Sequence, residues 1–481
     1  MNPSVEPFDE TKYKVLMDGL ECSEIMYSHV VSTTTLRFDS EYYKKEYLEI
    51  EKFISNHLSC FSSLSTYNLT PDASAFYPAL EPYYNTGSIP FIRVADVRDE
   101  IDYDGCIRIP QMGEEYNTLK LCHKGDIVLT KGGRVGTAGL ITKDSYVTRD
   151  LIFIDSSLLE RKDYVSLYLY YCTEFAQKQM LRSSSMTAQP HLTITLIKNI
   201  LLYRFSESFK KGIMLLYDRH KDLLQEALRQ FTEAERTLAS RLKVSGQPDS
   251  SIAIKEYSNS FIFSGRLDAE YYQPKYEGIT KSLHTTETVQ SICNRIYDDN
   301  YVPQENSEYR YIELANVGNN GIISGVETIA GRDLPSRARR KVRKGQVIIS
   351  SIEGSLQSCA LITDEYDGAL CSTGFFVLDS DRMNPETLLV LFKSEPIQAL
   401  LKQRCSGTIL SAISKDELLN MPLPYIDEGV QKEIAVKVQK SFELRRKSKT
   451  LLEYAKQAVE IAIEQGEAEA ITWLKQKGVE V

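Results

Sequence analysis

The sequence predicts an α+β fold: two tandem β-rich domains, each followed by a long helix, with the two helices pairing as an antiparallel coiled coil of pseudo-twofold symmetry. Three observations lead there. The chain repeats a block of itself, each copy alternates short β-like runs with turn residues, and each copy ends in a proline-free amphipathic stretch.

The repeat is carried by four segments in one order. Arg37-Phe38-Asp39-Ser40-Glu41-Tyr42-Tyr43 returns as Arg266-Leu267-Asp268-Ala269-Glu270-Tyr271-Tyr272, and Phe91-Ile92-Arg93-Val94-Ala95-Asp96-Val97 as Tyr311-Ile312-Glu313-Leu314-Ala315-Asn316-Val317. Lys124-Gly125-Asp126-Ile127-Val128-Leu129 returns as Lys344-Gly345-Gln346-Val347-Ile348-Ile349, and Leu140-Ile141-Thr142 as Leu361-Ile362-Thr363. The offset stays near about 220 residues, far beyond a solenoid period of a few tens. A whole domain and its connector are duplicated.

Residues 1–32 match no part of the second copy; they are read as an N-terminal segment packing near the C-terminal helix. Residues 33–205 form the first domain, with the β-like runs IPFIRVADV, GDIVLTK, AGLIT and LIFID, a helical stretch from Tyr164 to Leu181, and a strand-like run ending at Leu201-Leu202. Residues 206–244 are the first long helix, 245–263 a linker and 264–426 the second domain, with its helical stretch from Pro385 to Gln403. Residues 427–466 are the second long helix and 467–481 a tail with the single tryptophan, Trp473.

The first long helix, about Glu207 to Lys243, carries a stripe of Ile213, Leu216, Tyr217, His220, Leu223, Leu224, Ala227, Phe231, Ala234 and Leu238. The second, about Glu428 to Gln465, carries Ile434, Val438, Phe442, Leu452, Ala455, Val459 and Ala462, interrupted by Arg445 and Ser448. Each spans roughly 55 Å at about 1.5 Å per residue. One apolar stripe of that length needs a partner, which is either the other helix or the helix's own β domain.

Composition removes several classes. Hydrophobic content of 42% and charged content of 26% are those of a globular protein. No apolar run approaches the roughly 18 residues of a membrane span, and the N-terminus has no signal-peptide pattern. The nine scattered cysteines form no CxxC pair, so neither zinc nor a disulfide framework is indicated, and a reducing cytoplasm fits. No GxSxG, no NPPY or DPPY, and no clustered D…ExK occurs, so no catalytic site and no cofactor are expected in this chain. A net charge of −9 argues against a nucleic-acid partner unless charge is segregated. It is segregated: Arg332, Arg337, Arg339, Arg340, Lys341, Arg343 and Lys344 stand against Asp333 alone, while Glu460, Glu464, Glu467, Glu469 and Glu480 gather near the C-terminus.

At this point the residues resemble a known family, the specificity subunits of type I restriction–modification systems. The resemblance runs from about Thr33 to Gln465. It rests on Gly125-Asp126-Ile127-Val128-Leu129-Thr130-Lys131-Gly132-Gly133-Arg134-Val135-Gly136-Thr137-Ala138-Gly139-Leu140, on Gln189-Pro190-His191-Leu192 with Leu410-Ser411-Ala412-Ile413 as its divergent counterpart, and on Pro422-Leu423-Pro424 followed by Gln431-Lys432-Glu433-Ile434. Copy one departs at Tyr203-Arg204-Phe205, where the family usually has prolines, and copy two has Ser350 to Ser355 without the cations of copy one. The resemblance implies two target-recognition domains that read a bipartite site on double-stranded DNA. It also implies two DNA methyltransferase subunits that carry S-adenosylmethionine and modify adenine, with restriction or translocase subunits as further partners. The competing reading is a duplicated protein-interaction scaffold without DNA binding.

The candidate DNA contacts follow from side-chain chemistry. Lys131 and Arg134 flank glycines that permit close backbone approach to phosphate; the same loop could be a plain hairpin turn. Arg337, Arg339, Arg340, Lys341 and Arg343 form the dense basic run, which could equally be solvated surface. Arg149, Arg182, Thr187, Gln189 and His191 in the first domain, and Arg404 and Thr408 in the second, are polar positions of the kind that reach bases or phosphates. His123 and His220 are read as surface and helix-packing residues.

Overall fold

A computed structural model of the chain describes residues 9–32, 36–98, 100–103, 105–184, 191–242, 252–293, 295–297, 299–318, 321–407 and 411–479. It divides into two compact units, one of residues 1–221 with 449–481 and one of residues 222–448. The division cuts both long helices, which run Glu207–Leu242 and Glu428–Glu464. Each unit therefore holds one β-rich module and a part of each helix.

In the first unit β1 (Phe61–Ser63) pairs with β10 (Leu201–Tyr203). The other strands are β2 (Pro71–Asp72), β3 (Ile89–Ile92), β4 (Ile107–Ile109), β5 (Leu121–Cys122), β6 (Ile127–Thr130), β7 (Ala138–Leu140), β8 (Ser145–Val147) and β9 (Leu151–Ile154). They form two four-stranded sheets, ordered β2-β9-β6-β7 and β4-β3-β8-β5, in which only β3 and β8 run parallel. β6 is buried along its whole length. Its side chains alternate: Ile127 and Leu129 enter a core shared with the helices Arg161–Tyr171 and Glu174–Ser183, while Val128 enters a core with Ile92 and Val147 of the other sheet. A strand covered on both faces reads as a continuous apolar run, as this one does.

The second unit repeats this order. β11 (Arg295–Tyr297), β12 (Glu308–Ile312), β13 (Glu327–Ala330), β14 (Ala338–Lys341), β15 (Val347–Ser350), β16 (Cys359–Leu361), β17 (Leu370–Ser372) and β18 (Phe375–Asp379) form sheets ordered β11-β18-β15-β16 and β13-β12-β17-β14. Again one pair, β12 with β17, is parallel. Val347 and Ile349 face one core and Ile348 the other. The turns before β6 and β15 also match. Gly125 (φ +107°) and Gly345 (φ +85°) take left-handed backbone that favours glycine. Asp126 accepts from His123 N at 2.7 Å and Gln346 from Arg343 N at 2.8 Å.

The repeated Arg–Asp–Tyr–Tyr segment is a clamp on a helix end. Arg37 pairs with Asp39 (2.7 Å), lies 4.7 Å over the Tyr42 ring and donates to Ser184 O (2.8 Å) beyond the helix Glu174–Ser183. Arg266 pairs with Asp268 (2.7 Å), lies 4.4 Å over Tyr271 and donates to Cys405 O (2.9 Å) beyond the helix Glu395–Arg404. A cation at a helix C-terminus satisfies exposed carbonyls and opposes the dipole.

Each helical stretch expected as one piece is two helices. The first breaks at Thr173, whose Oγ1 caps the helix Glu174–Ser183 by accepting from Ala176 N. The second, Pro385–Lys393 and Glu395–Arg404, breaks at Ser394, just before Pro396. Proline has no N–H to bond back to the preceding turn, so Pro396 is accommodated in the first turn of the new helix rather than inside a continuous one. The N-terminal segment, expected near the C-terminal helix, is tied to the helix Lys45–Asn56 through Glu21 to Lys45 N (3.1 Å) and His29 to Glu51 (3.6 Å). Trp473 of the tail packs on the first unit's core, 5.4 Å from the Tyr454 ring.

Within the first unit Ile213, Leu216 and Tyr217 share a core with Leu452, Ala455, Val459 and Ala462 of the second long helix and with the β module. Within the second unit Phe231, Ala234 and Leu238 share one with Ile434 and Val438. There Ser441 Oγ donates to Ala227 O (2.7 Å) and Lys437 to Thr237 Oγ1 (2.8 Å), so the helices run antiparallel. Both packing alternatives thus hold at once: each helix meets the other helix and a β module. Leu223 and Leu224, expected in the stripe, are only half-buried, whereas Ser448, expected to interrupt it, is 1% exposed.

The first module is also fastened to its helix by charge. Glu100 lies 3.1 Å from His220 Nε2 and 2.6 Å from Lys221 Nζ. Burial works to raise the Glu100 carboxyl, but His220 and Lys221 outweigh it and hold it down at about 2. His220 is a buried packing residue, as expected.

Two outcomes follow for stability. Leu452→Asp places a charge in a dry seam and should cost several kcal/mol, on the order of 4, whereas Leu223→Asp at its half-buried position should cost about 1 or less. Urea unfolding of both variants checks the ranking. The Glu100 contact has a depressed folded pKa, so its stabilisation is present above the unfolded carboxylate value of about 4.3 and disappears as pH falls towards about 2. Wild type should therefore exceed Glu100→Gln by roughly 1–3 kcal/mol near neutral pH, and the two unfolding midpoints should converge as pH falls through about 2. A constant difference across that range would show that the interaction is not electrostatic.

Candidate nucleic-acid interface

In the first module the exposed feature is the loop between β6 and β7. Thr130 Oγ1 donates to Arg134 O and accepts from Thr137 N (3.0 Å), while Gly136 N donates to Thr130 O (2.9 Å). Gly133 (φ +73°) and Gly136 (φ +80°) allow so tight a return. The tip, Gly133 and Arg134, stays exposed. Lys131 is half-buried: its N–H donates to Asp150 O (2.9 Å), its Nζ donates to Arg149 O, and burial pushes its pKa down. Leu192 N donates to Lys131 O (3.0 Å), and a Cβ on Gly132 would stand 3.4 Å from His191 Nδ1.

This fold brings Lys131, Arg149 and His191 together beside the loop that carries Arg134. Arg149 and His191 are exposed. Sequence patterning missed a neighbouring pair: Phe76 is 79% exposed, and Tyr77 lies next to Arg149, its hydroxyl raised by burial and lowered by the Arg149 N–H and guanidinium. The available signal was an aromatic pair, Phe76-Tyr77, directly before Pro78. Asp72, bound to Lys120 at 2.9 Å, and exposed Asp150 temper the positive charge.

Arg182 is placed differently from its expected role. It donates to Tyr42 O (3.1 Å), pairs with Glu51 (3.0 Å) and stacks 4.4 Å over Tyr42. Its counterpart Arg404 pairs with Glu417 (3.1 Å) and donates to the Tyr271 hydroxyl (3.3 Å). Both are 12% exposed, and both brace the clamp described above. Thr187, Gln189 and Thr408 lie outside the described residues.

In the second module the corresponding loop holds no cation; Ser350 Oγ and Ser355 Oγ meet at 2.9 Å instead. The positive charge sits on β14, an edge strand. Its register shifts between Ala338 and Arg340 against β17, a bulge that re-aims the side chains. Arg340 turns inward, donating to Phe375 O and lying 5.9 Å from the Phe376 ring. Arg339 donates to Ser336 O (3.0 Å), Lys341 lies 5.0 Å over the Tyr301 ring, and Lys344 pairs with Asp364 (2.6 Å). Arg337 and Arg343 are exposed, and among the described residues neither guanidinium has a hydrogen bond or ion pair. Charge on an edge strand also blocks pairing with other sheets, which is a structural use of the same residues. His123 is a surface residue, 3.4 Å from Asp144.

Among the described residues no group of three His, Cys, Asp or Glu could hold a metal ion, and no helix is long and apolar enough to cross a membrane. All nine cysteines are free.

Residues 73–203 match the family described as type I restriction modification DNA specificity domain. Among solved structures the chain is similar to the S subunit of a type I restriction–modification system from M. genitalium, at 12% identity, with 84% of this chain and 94% of that one covered and a TM-score of 0.35. It is similar to the HsdS subunit from Thermoanaerobacter tengcongensis at 14% identity, covering 85% and 97%, with a TM-score of 0.28. A structure reported for assembly and conformational transition of the type I system matches at 16% identity, covering 85% and 97%, also with a TM-score of 0.28.

The placement of the cations separates two groups within the basic run. Neutralising Arg337 and Arg343 together should leave folding intact and flatten the log–log salt dependence of DNA binding, by roughly 0.9 for each phosphate that is no longer neutralised. Arg340→Gln should instead lower the melting temperature, because it removes the partner of Phe375 O. An unchanged salt slope in the double variant would assign the run to edge protection alone.

Proposed function

We propose that this chain is a type I restriction–modification DNA specificity protein, as the match of residues 73–203 to that domain supports, and that it reads a split target on double-stranded DNA, one half per module. One observation carries the reading. The two modules share strand order, parallel pair, turn chemistry and helix clamp, yet their exposed cations lie in different places, on the β6–β7 loop side in one and flanking β14, at Arg337 and Arg343, in the other. A shared scaffold with unlike surfaces suits two unlike half-sites, since phosphate contacts set register and base contacts carry sequence.

In this reading the chain itself performs no chemistry. Arg134, Arg149 and His191, with Lys131 holding the loop, engage the backbone at the first half, and Arg337, Arg339, Lys341 and Arg343 at the second. Thr187, Gln189 and Thr408 are proposed as base contacts on residue type. The polar flanks of the long helices receive two adenine methyltransferase subunits, which bring S-adenosylmethionine; restriction or translocase subunits join the same assembly in the cytoplasm.

Exchanging residues 265–426 for the matching region of another such protein tests the proposal. Methylome sequencing of cells carrying the chimera and its methyltransferase should show one half of the methylated sequence changed and the other retained. A contiguous target in the wild type, or a chimera that alters both halves, would refute the two-reader mechanism.

A further inference from the structure

Each module contains one glutamine in the same bridging position. Gln177, in the helix Glu174–Ser183, donates from Nε2 to Tyr171 O (2.7 Å) at the end of the preceding helix and to Gly136 O (2.8 Å) at the end of the β6–β7 loop. Gln398, in the helix Glu395–Arg404, donates to Phe392 O (2.7 Å) and to Leu356 O (3.0 Å), in the loop joining β15 to β16. One side-chain amide carries two N–H groups, one for each carbonyl. The first carbonyl belongs to a helix end and the second to a loop pressed onto the helix; in the second module Leu356 O also accepts from Cys359 Sγ (3.3 Å). The approach is close, since a Cβ on Gly136 would stand 3.0 Å from Met180 Cε and 3.2 Å from Gln177 Oε1.

The loops they hold are otherwise unlike. The first has two cations and three glycines; the second is closed by Ser350 and Ser355, and Glu353 N donates to Ser411 O (3.0 Å). The lock is the same where the surface it presents has diverged. In both modules the next segment is hung from the same loop as well, by Leu192 N to Lys131 O (3.0 Å) and by Ile413 N to Ser351 O (2.8 Å).

We propose that Gln177 and Gln398 are positioning residues for DNA recognition, each holding one module's β-hairpin loop, and the segment hung from it, in the orientation that meets the duplex. This rests on the function proposed above. A recognition surface is effective only while its support holds it within a fraction of an ångström. Because each glutamine serves one loop, its loss should be felt at one half-site.

The test uses the complete complex with its methyltransferase and three duplexes: the full target, and the target with either half scrambled. Gln177→Met keeps side-chain length and volume but removes the donor. It should weaken binding to the full target roughly tenfold, abolish discrimination of the first half and preserve that of the second. Gln398→Met should do the reverse, with non-specific binding unchanged in both. Gln177→Asn retains the amide one methylene short and should give the same asymmetry more mildly, which covers the case that the methionine variant folds poorly. Equal loss at both halves, or unchanged discrimination in a folded complex, overturns the inference alone. A wild type that shows no split target overturns the proposed function and this inference with it.

Discussion

The structure depends most on the burial of one strand in each module on both of its faces. β6 and β15 cannot lie at a sheet edge or face water without exposing Ile127, Val128 and Leu129, or Val347, Ile348 and Ile349. Burying such a side chain fully is worth about 1.5–3 kcal/mol, so helices must cover one face and a second sheet the other. The loop that leaves each strand is thereby fixed at one end. Its other end is fixed by the return strand, β7 or β16. Only the tip is left to vary, and there the two modules differ.

The same constraint explains the doubled hardware around the helical corner. A pair of short helices packed across a sheet leaves carbonyls at each C-terminus in a partly dry setting. Arg37 and Arg266 satisfy those of the second helix, and Gln177 and Gln398 those of the first. Tyr42 and Tyr271 then give the arginines a ring to stack on. Arg182 and Arg404 complete the cluster and are no longer open to an outside anion.

Charge is distributed by the same logic. A protein of net charge −9 reaches a polyanion only where local cations are open. Many arginines here have an acid or a carbonyl already, as Arg37, Arg182, Arg340 and Arg404 do. Arg149 on the first module, and Arg337 and Arg343 on the second, are exposed to solvent. The acidic balance of the whole chain is therefore compatible with small positive surfaces on each unit.

Two modules of the same plan and two long helices were legible from sequence, because repeats and the 3.6-residue period are local patterns that survive without coordinates. So were the glycines before β6 and β15 and the buried His220. The breaks at Thr173 and Ser394 were not read, because apolar periodicity runs on across a corner whose cap is a single side chain. Nor could the sequence rank its arginines: Arg182 and Arg149 have the same chemistry, and only packing decides that one meets Glu51 and Tyr42 while the other meets water. Leu223 and Leu224 fit the helical stripe, yet belong to neither core and are only half-covered. Gln177 and Gln398 had no pattern at all, since their partners are backbone carbonyls, which every residue has and which only tertiary structure brings within 3 Å of a particular amide.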